Sequence, residues 1–353
     1  MLNLEQGVVK NIILQRDGVQ FLEVEVNEKC EVALNYINHT GICRTGDRVV
    51  LNTIALRMSL GTGGYHFVYY NLSNKNNDVD FNKSSGHIIK MKYTPYQFKV
   101  KTIEEVDIFK KYFDSPVDLS SKKILIAKLH SMIAPGACVL KYKQSDCKIS
   151  FIYCYGGSLE AKFSNTLSEL KEKKIIDNVI TCGECYGGDY ESVNIFTAII
   201  FAFKILRSDY VIISCGPGIA GTSTFYGFSS LELVFAAYAV NLMGNVPIVI
   251  PRVSFADKRD RHYGISLQSI AFLKCINFPV YFPLYSSIGG EIISKQIKTH
   301  DIFLKHHVRY INNSCVREAM AYYKVNGVSM GRRYDDDPAY FENCGAASEF
   351  ALI

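Results

Sequence analysis

From Lys122 onward one pattern repeats along the sequence: a short run that is apolar at nearly every residue, then a segment with helical character. The runs are Lys123–Leu129, Ile149–Cys154, Asn178–Cys182, Tyr210–Cys215 and Val246–Ile250, with Val280–Phe282 as a sixth. Helical stretches are predicted from Ser131, over Leu159–Lys174, over Ser192–Leu206, over Ser229–Met243 and over Gly289–Met320. Strands that lack a polar face must be covered on both sides. Alternation with helices then predicts βαβ units and a mostly parallel sheet with helices on both faces. Right-handed crossovers would align the strand C-terminal ends along one edge.

The first seventy residues obey a different rule. Val8–Leu14, Gln20–Val26, Glu31–Ile37, Arg48–Ile54 and Tyr65–Tyr70 are short and rich in β-formers. Asp17-Gly18, Gly41, Gly46-Asp47 and Gly61–Gly64 separate them. Such punctuation predicts a small all-β, barrel-like domain over residues 1–86. A polar loop, Asn71–Gly86, closes it. Residues 87–121 read as a bridging segment, and 122–353 as the α/β domain.

Charge excludes some functions. The chain has 353 residues and a formal net charge of +5, far from the footprint of a dedicated nucleic-acid binder. No apolar run reaches the ~20 residues of a membrane span. The opening residues Met1–Gly7 show no secretory pattern, so the 11 cysteines read as reduced thiols and a cytoplasmic location is expected.

Candidate site residues fall where the apolar runs end, because open α/β sheets bind ligands at that edge. The fullest such loop carries Gly216, Gly218 and Gly221, then Thr222, Ser223 and Thr224. Glycine lets backbone amides approach an anion closely, and the hydroxyls add donors. A tight connection would demand glycine equally. Gly156 and Gly157 end the second run and are expected to help hold the same ligand. His130 ends the first run and is the candidate acid or base, with a structural histidine as the alternative. Asp189 follows a Gly-Gly pair, as a candidate carboxylate or a helix cap. The charged run Asp257–His262 supplies Asp257 as a third catalytic candidate, and Arg259 and Arg261 as clamps for phosphate or carboxylate. Mutual salt bridges in a solvated loop explain that run as well. Cys182 and Cys185 form a lone Cys-X-X-Cys, weak for zinc, and no metal or cofactor is assigned.

Several motifs together resemble a bacterial family known as domain of unknown function 3866. They are Leu51-Asn52-Thr53, Leu60–Phe67, Lys92–Pro95, Leu129-His130-Ser131, Gly187-Gly188-Asp189, Gly216–Ser229, Phe255-Ala256-Asp257 and Met330-Gly331-Arg332. The resemblance covers nearly the whole chain and implies a cytosolic bacterial protein without supplying a mechanism. Members tend to carry adjacent histidines after the Arg-His pair. Ser266–Ser269 stands there instead, which argues against a histidine role in that stretch.

The residues favour a protein that binds, and in one version transforms, an anionic small molecule such as a phosphorylated metabolite or nucleotide. The alternative is a non-catalytic nucleic-acid or protein adaptor. It would use the β domain and the basic-aromatic strip Lys90–Lys101, which interleaves Lys90, Lys92, Lys99 and Lys101 with Tyr93, Tyr96 and Phe98. A homo-oligomer is a further possibility that the sequence leaves open.

Overall fold

A computed structural model describes residues 2–61, 63–74 and 86–353. Two compact units result. Met1–Ser85 and Met91–Phe98 form the smaller, and Gly86–Lys90 and Lys99–Ile353 the larger. The bridge expected over 87–121 is therefore shared between the units, and Ile103 and Leu119 belong to the core of the larger. Most of the polar loop read over Asn71–Gly86 lies outside the described residues.

All five expected strands of the smaller unit form: β1 (Leu4–Arg16), β2 (Val19–Val26), β3 (Lys29–Tyr36), β4 (Arg48–Asn52) and β5 (His66–Asn71). They close into a barrel in the order β1-β2-β3-β5-β4, with β3 and β5 parallel. β1 is long enough to pair with β2 along one stretch and β4 along another. Register shifts at Val9/Asn11 and Ile12/Leu14 coil it to do so. Gly18, at φ +75°, makes the β1–β2 turn. Val9, Leu22, Val24, Ala33, Val49 and Leu51 fill the interior.

The larger unit is built on an eight-stranded sheet, and every pair of neighbours in it is parallel. Its strands are β6 (Lys123–Ala127), β7 (Ile149–Cys154), β8 (Asn178–Cys182), β9 (Tyr190–Ser192), β10 (Tyr210–Cys215), β11 (Ile248–Val249), β12 (Tyr281–Tyr285) and β13 (His307–Ile311). Their order is β9-β8-β7-β10-β6-β11-β12-β13. Side chains alternate between two cores. Ile124 and Ile126 of β6 face one, and Leu125 and Ala127 the other. The helices are α1 (Ile133–Lys143), α2 (Asn165–Glu172), α3 (Ile195–Lys204), α4 (Val234–Leu242), α5 (Leu267–Lys274), α6 (Gly290–Thr299), α7 (Val316–Tyr322) and α8 (Pro338–Leu352). Helices α1, α2, α7 and α8 cover one face, and α3 to α6 the other. None of the described helices is long and apolar enough to cross a membrane.

This order fixes where a ligand fits. The connection from β6 through α1 passes over β10 to reach β7. The connection from β10 through α4 passes over β6 in the opposite direction to reach β11. Crossovers of one hand running in opposite directions must lie on opposite faces. Their loops therefore diverge above the carboxyl ends of β6 and β10 and leave a crevice between them.

Two expectations need correction. The stretch Gly289–Met320 is not one long helix, because His307–Ile311 pairs with β12 as the edge strand β13. Gly187-Gly188-Asp189 does not stand at the carboxyl edge either. After β8 the chain folds back and re-enters the sheet as β9, parallel to β8. The Asp189 amide thereby donates to the Val179 carbonyl at 2.8 Å, near the amino end of β8. The cap of the following helix is Asn194, whose Oδ1 accepts from the Phe196 and Thr197 amides.

Candidate functional site: an arginine-lined cleft at the sheet switch point

A cleft of about 450 Å³ opens at this crevice. The end of β6 contributes Leu129, His130 and Ser131. The loop after β10 contributes Pro217, Gly218, Ile219, Gly221 and Thr222. The segment after β11 contributes Arg252, Arg259, Arg261 and His262. Thr166, Gln268 and Val328–Met330 complete the wall, and no carboxylate is among the described lining residues.

Glycine serves two purposes here. Gly218, at φ +85°, faces open space, as its place on the cleft wall requires. Gly156 and Gly157 do not line the cleft. They let the loops after β7 and β10 touch: a Cβ on Gly157 would stand 2.1 Å from the Gly216 carbonyl oxygen. The Ser158 amide donates to the Pro217 carbonyl at 2.8 Å in the same contact. Gly216 is confined likewise, with the Tyr153 hydroxyl 2.0 Å from where its Cβ would lie. Ser223 and Thr224 are exposed and are not among the described lining residues; the Thr224 and Thr222 hydroxyls lie 2.9 Å apart, and Thr222 donates to the Gly227 carbonyl at 3.0 Å. Ser229 does not cap α4. Its Oγ accepts from the Ala220 amide and donates to the Gly156 carbonyl, which braces the loop.

His130 lines the cleft, yet both of its nitrogens are occupied. Nδ1 lies 2.9 Å from the Cys215 carbonyl oxygen, so it carries the proton. Nε2 lies 2.6 Å from Ser164 Oγ and accepts from that hydroxyl. Ser164 in turn caps α2 by accepting from the Leu167 amide. Burial pulls the imidazole down to about 4, so it is neutral at pH 7. His130 thus ties β6, β10 and α2 together at the switch point.

Asp257 is also engaged. Arg259 holds it in a bidentate pair, with Nε at 2.8 Å and a terminal nitrogen at 2.7 Å. Arg252 and Arg332 approach the same carboxylate at 3.5 and 3.4 Å. The Arg259 hydrogen bonds hold its pKa far below the usual carboxylate range. An ionised carboxylate shared among three arginines positions them and has no capacity left to act as a base. Asp189 takes no part, being paired with Lys171 at 2.7 Å on the opposite edge.

The most telling cleft residue was not singled out by sequence. Arg252 is only 6% exposed, and Gln268 Oε1, 2.6 Å away, is a neutral partner. Burying a guanidinium is costly unless charge and hydrogen bonds offset it. A third of Asp257 at 3.5 Å leaves that offset incomplete. Arg261 meets only Ser223 at 3.4 Å and has no carboxylate partner among the described residues. His262 is buried, with Nδ1 2.7 Å from Ser266 Oγ and no partner at Nε2 among the described residues. Burial, and then the neighbouring arginines, lower it to about 4. The hydroxyl of Ser131 joins those of Ser329 and Tyr340 at 3.1 and 2.6 Å.

Elsewhere the cysteines are free thiols. Cys182 and Cys185 are buried as free cysteines, with Cys182 Sγ 3.5 Å from that of Cys154. Among the described residues no group of three or more His, Cys, Asp or Glu is arranged to hold a metal ion.

Comparison with known proteins returns one result. No curated protein and no solved structure matches the chain. A family model does match, over residues 32–348, and nearly the whole chain is thereby covered. The chain belongs to the family described as protein of unknown function (DUF3866).

Proposed function

We propose that the larger unit binds an anionic small molecule in the cleft between the ends of β6 and β10. The observation that carries this reading is the convergence of Arg252, Arg259 and Arg261 on a cleft with no carboxylate among its described lining residues. Binding, rather than catalysis, is what the side chains support. Of the three catalytic candidates, His130 and Asp257 are fully engaged and Asp189 is remote. The free cysteines fit a reducing, cytoplasmic setting.

The adaptor reading draws less support. Lys90 is buried in an ion pair with Glu191 at 2.7 Å, so it does not continue a basic surface strip. Residues 1–85 and 91–98 contain nine lysines and arginines and nine aspartates and glutamates, which gives the smaller unit no electrostatic pull on a phosphate backbone.

A thermal-shift titration with inorganic phosphate, sulfate and small organic anions tests the proposal. Saturation at ~100 times the dissociation constant adds about 2.7 kcal/mol and raises Tm by several degrees. Arg261 has few intramolecular bonds, so Arg261→Gln is expected to leave the unliganded Tm within about 1 °C while weakening the anion response about tenfold. No shift with any anion would count against the site.

A further inference from the structure

We propose that the anion group taken by this cleft is a tetrahedral dianion, the terminal phosphate of a small phosphomonoester. This rests on the reading of the cleft as an anion site and goes on to specify the ligand's charge and shape.

Charge comes first. Arg252, Arg259, Arg261 and Arg332 bring four positive charges to one cluster, and Asp257 and Asp337 bring the two carboxylates that meet them. Two positive charges remain uncompensated, one of them on Arg261 and one shared over the trio around Asp257. A monocarboxylate would neutralise half of that surplus. A phosphomonoester carries about −1.5 to −2 at neutral pH and matches it. Geometry points the same way. The cleft is walled by three separate chain segments, with Ser131 after β6 and Thr222 after β10 as hydroxyls already bonded to Ser329 and Tyr340 and to the Gly227 carbonyl, and the arginines after β11 as the donors that face the ligand. A planar carboxylate offers two oxygens in one plane, whereas a phosphate offers three oxygens to donors arriving from different directions. The volume exceeds what a bare phosphate fills, and Leu129, Ile219 and Val328 give the remainder of the ester an apolar wall.

Of the protein groups around the anion, only Lys128, which stands near Arg252 and is lowered to about 7 by burial, changes charge between pH 5 and 7.5. His130 and His262 are both held near 4 by burial, Asp257 stays ionised, and the arginines stay charged. Loss of the Lys128 charge weakens the binding of every anion as pH rises, so a rise in the ratio of phosphate-ester to sulfate-ester affinity across that interval belongs to the ligand.

Methyl phosphate and methyl sulfate separate the possibilities. The two are close in size and both tetrahedral. The sulfate ester is a monoanion throughout, while the phosphate ester loses its second proton near pH 6. Calorimetric titration of the full chain should find comparable affinities at pH 5. By pH 7.5 the ratio of phosphate-ester to sulfate-ester affinity should have risen about tenfold, following the dianion fraction. Equal binding of the two esters at pH 7.5 would overturn the dianion assignment and leave an anion site in place. Failure of both esters, of inorganic sulfate and of small carboxylates to bind would overturn the anion site itself.

Discussion

Asp257→Asn is expected to lower the stability of the chain by about 3 kcal/mol at pH 7, the cost of removing one partner from a buried ion pair. Asparagine keeps the shape and part of the hydrogen bonding, so the loss reports the charge. Asp257 is 5% exposed and faces Arg252, Arg259 and Arg332. Without it, Arg252 remains buried with only neutral Gln268 in close contact. The sign of the pH dependence follows from the depressed pKa of the carboxyl. Its contribution is fully present above the unfolded value near 4, and it is lost as pH falls through the lower folded value. Urea unfolding should therefore show wild type and variant converging below about pH 4. Equal stability of the two at pH 7 would mean that the carboxylate does not hold the arginine cluster together.

The second large effect concerns Lys128, one residue beyond β6. It is 2% exposed, and its ammonium donates to the Ile250 carbonyl at 2.8 Å and stands 5.4 Å from the centre of the Phe272 ring. No carboxylate meets it among the described residues. Burial lowers its pKa from 10.5 to about 7. A lysine lowered in this way makes the folded state resist protonation. Below pH 7 both states carry the proton and the penalty is complete. Between about pH 7 and 10.5 the unfolded chain binds more protons than the folded one, so stability rises with pH. Wild type should gain about 2 kcal/mol relative to Lys128→Met between pH 7 and pH 9. Chemical denaturation of both proteins at the two values measures it. Parallel pH profiles would show that folded Lys128 stays charged up to pH 9, as a solvated lysine does, and would contradict its burial as the cause of a lowered pKa.

Strands were the most legible part of the fold, since apolar runs bounded by turn residues leave few alternatives. β9 and β13 escaped notice for physical reasons. β9 spans Tyr190–Ser192 and is too short to show a period, and β13 is an edge strand whose Arg309 and Tyr310 are exposed. Its polarity resembled the helical segment before it. In the cleft, Gly218, Gly221, Thr222, Arg259 and Arg261 were legible because they follow apolar runs in clusters. Gly156 and Gly157 misled, because close approach of two loops demands glycine as strictly as approach to a ligand does. Arg252 and His262 gave weaker signals. Arg252 stands alone between Pro251 and Val253, and His262 ends a charged run that reads as solvated. Their convergence is a property of the strand order, which local periodicity does not encode.

The measurement that bears most directly on the cleft is a calorimetric titration of wild type and Arg252→Met with methyl phosphate at pH 7.5. Arg252 is the most buried of the lining arginines, and methionine retains much of its apolar stem. Loss of a desolvated charge partner costs 2–5 kcal/mol, so affinity should fall about a hundredfold while circular dichroism stays that of the folded chain. Unchanged affinity in a folded Arg252→Met protein would place the anion elsewhere and contradict the assignment of this cleft.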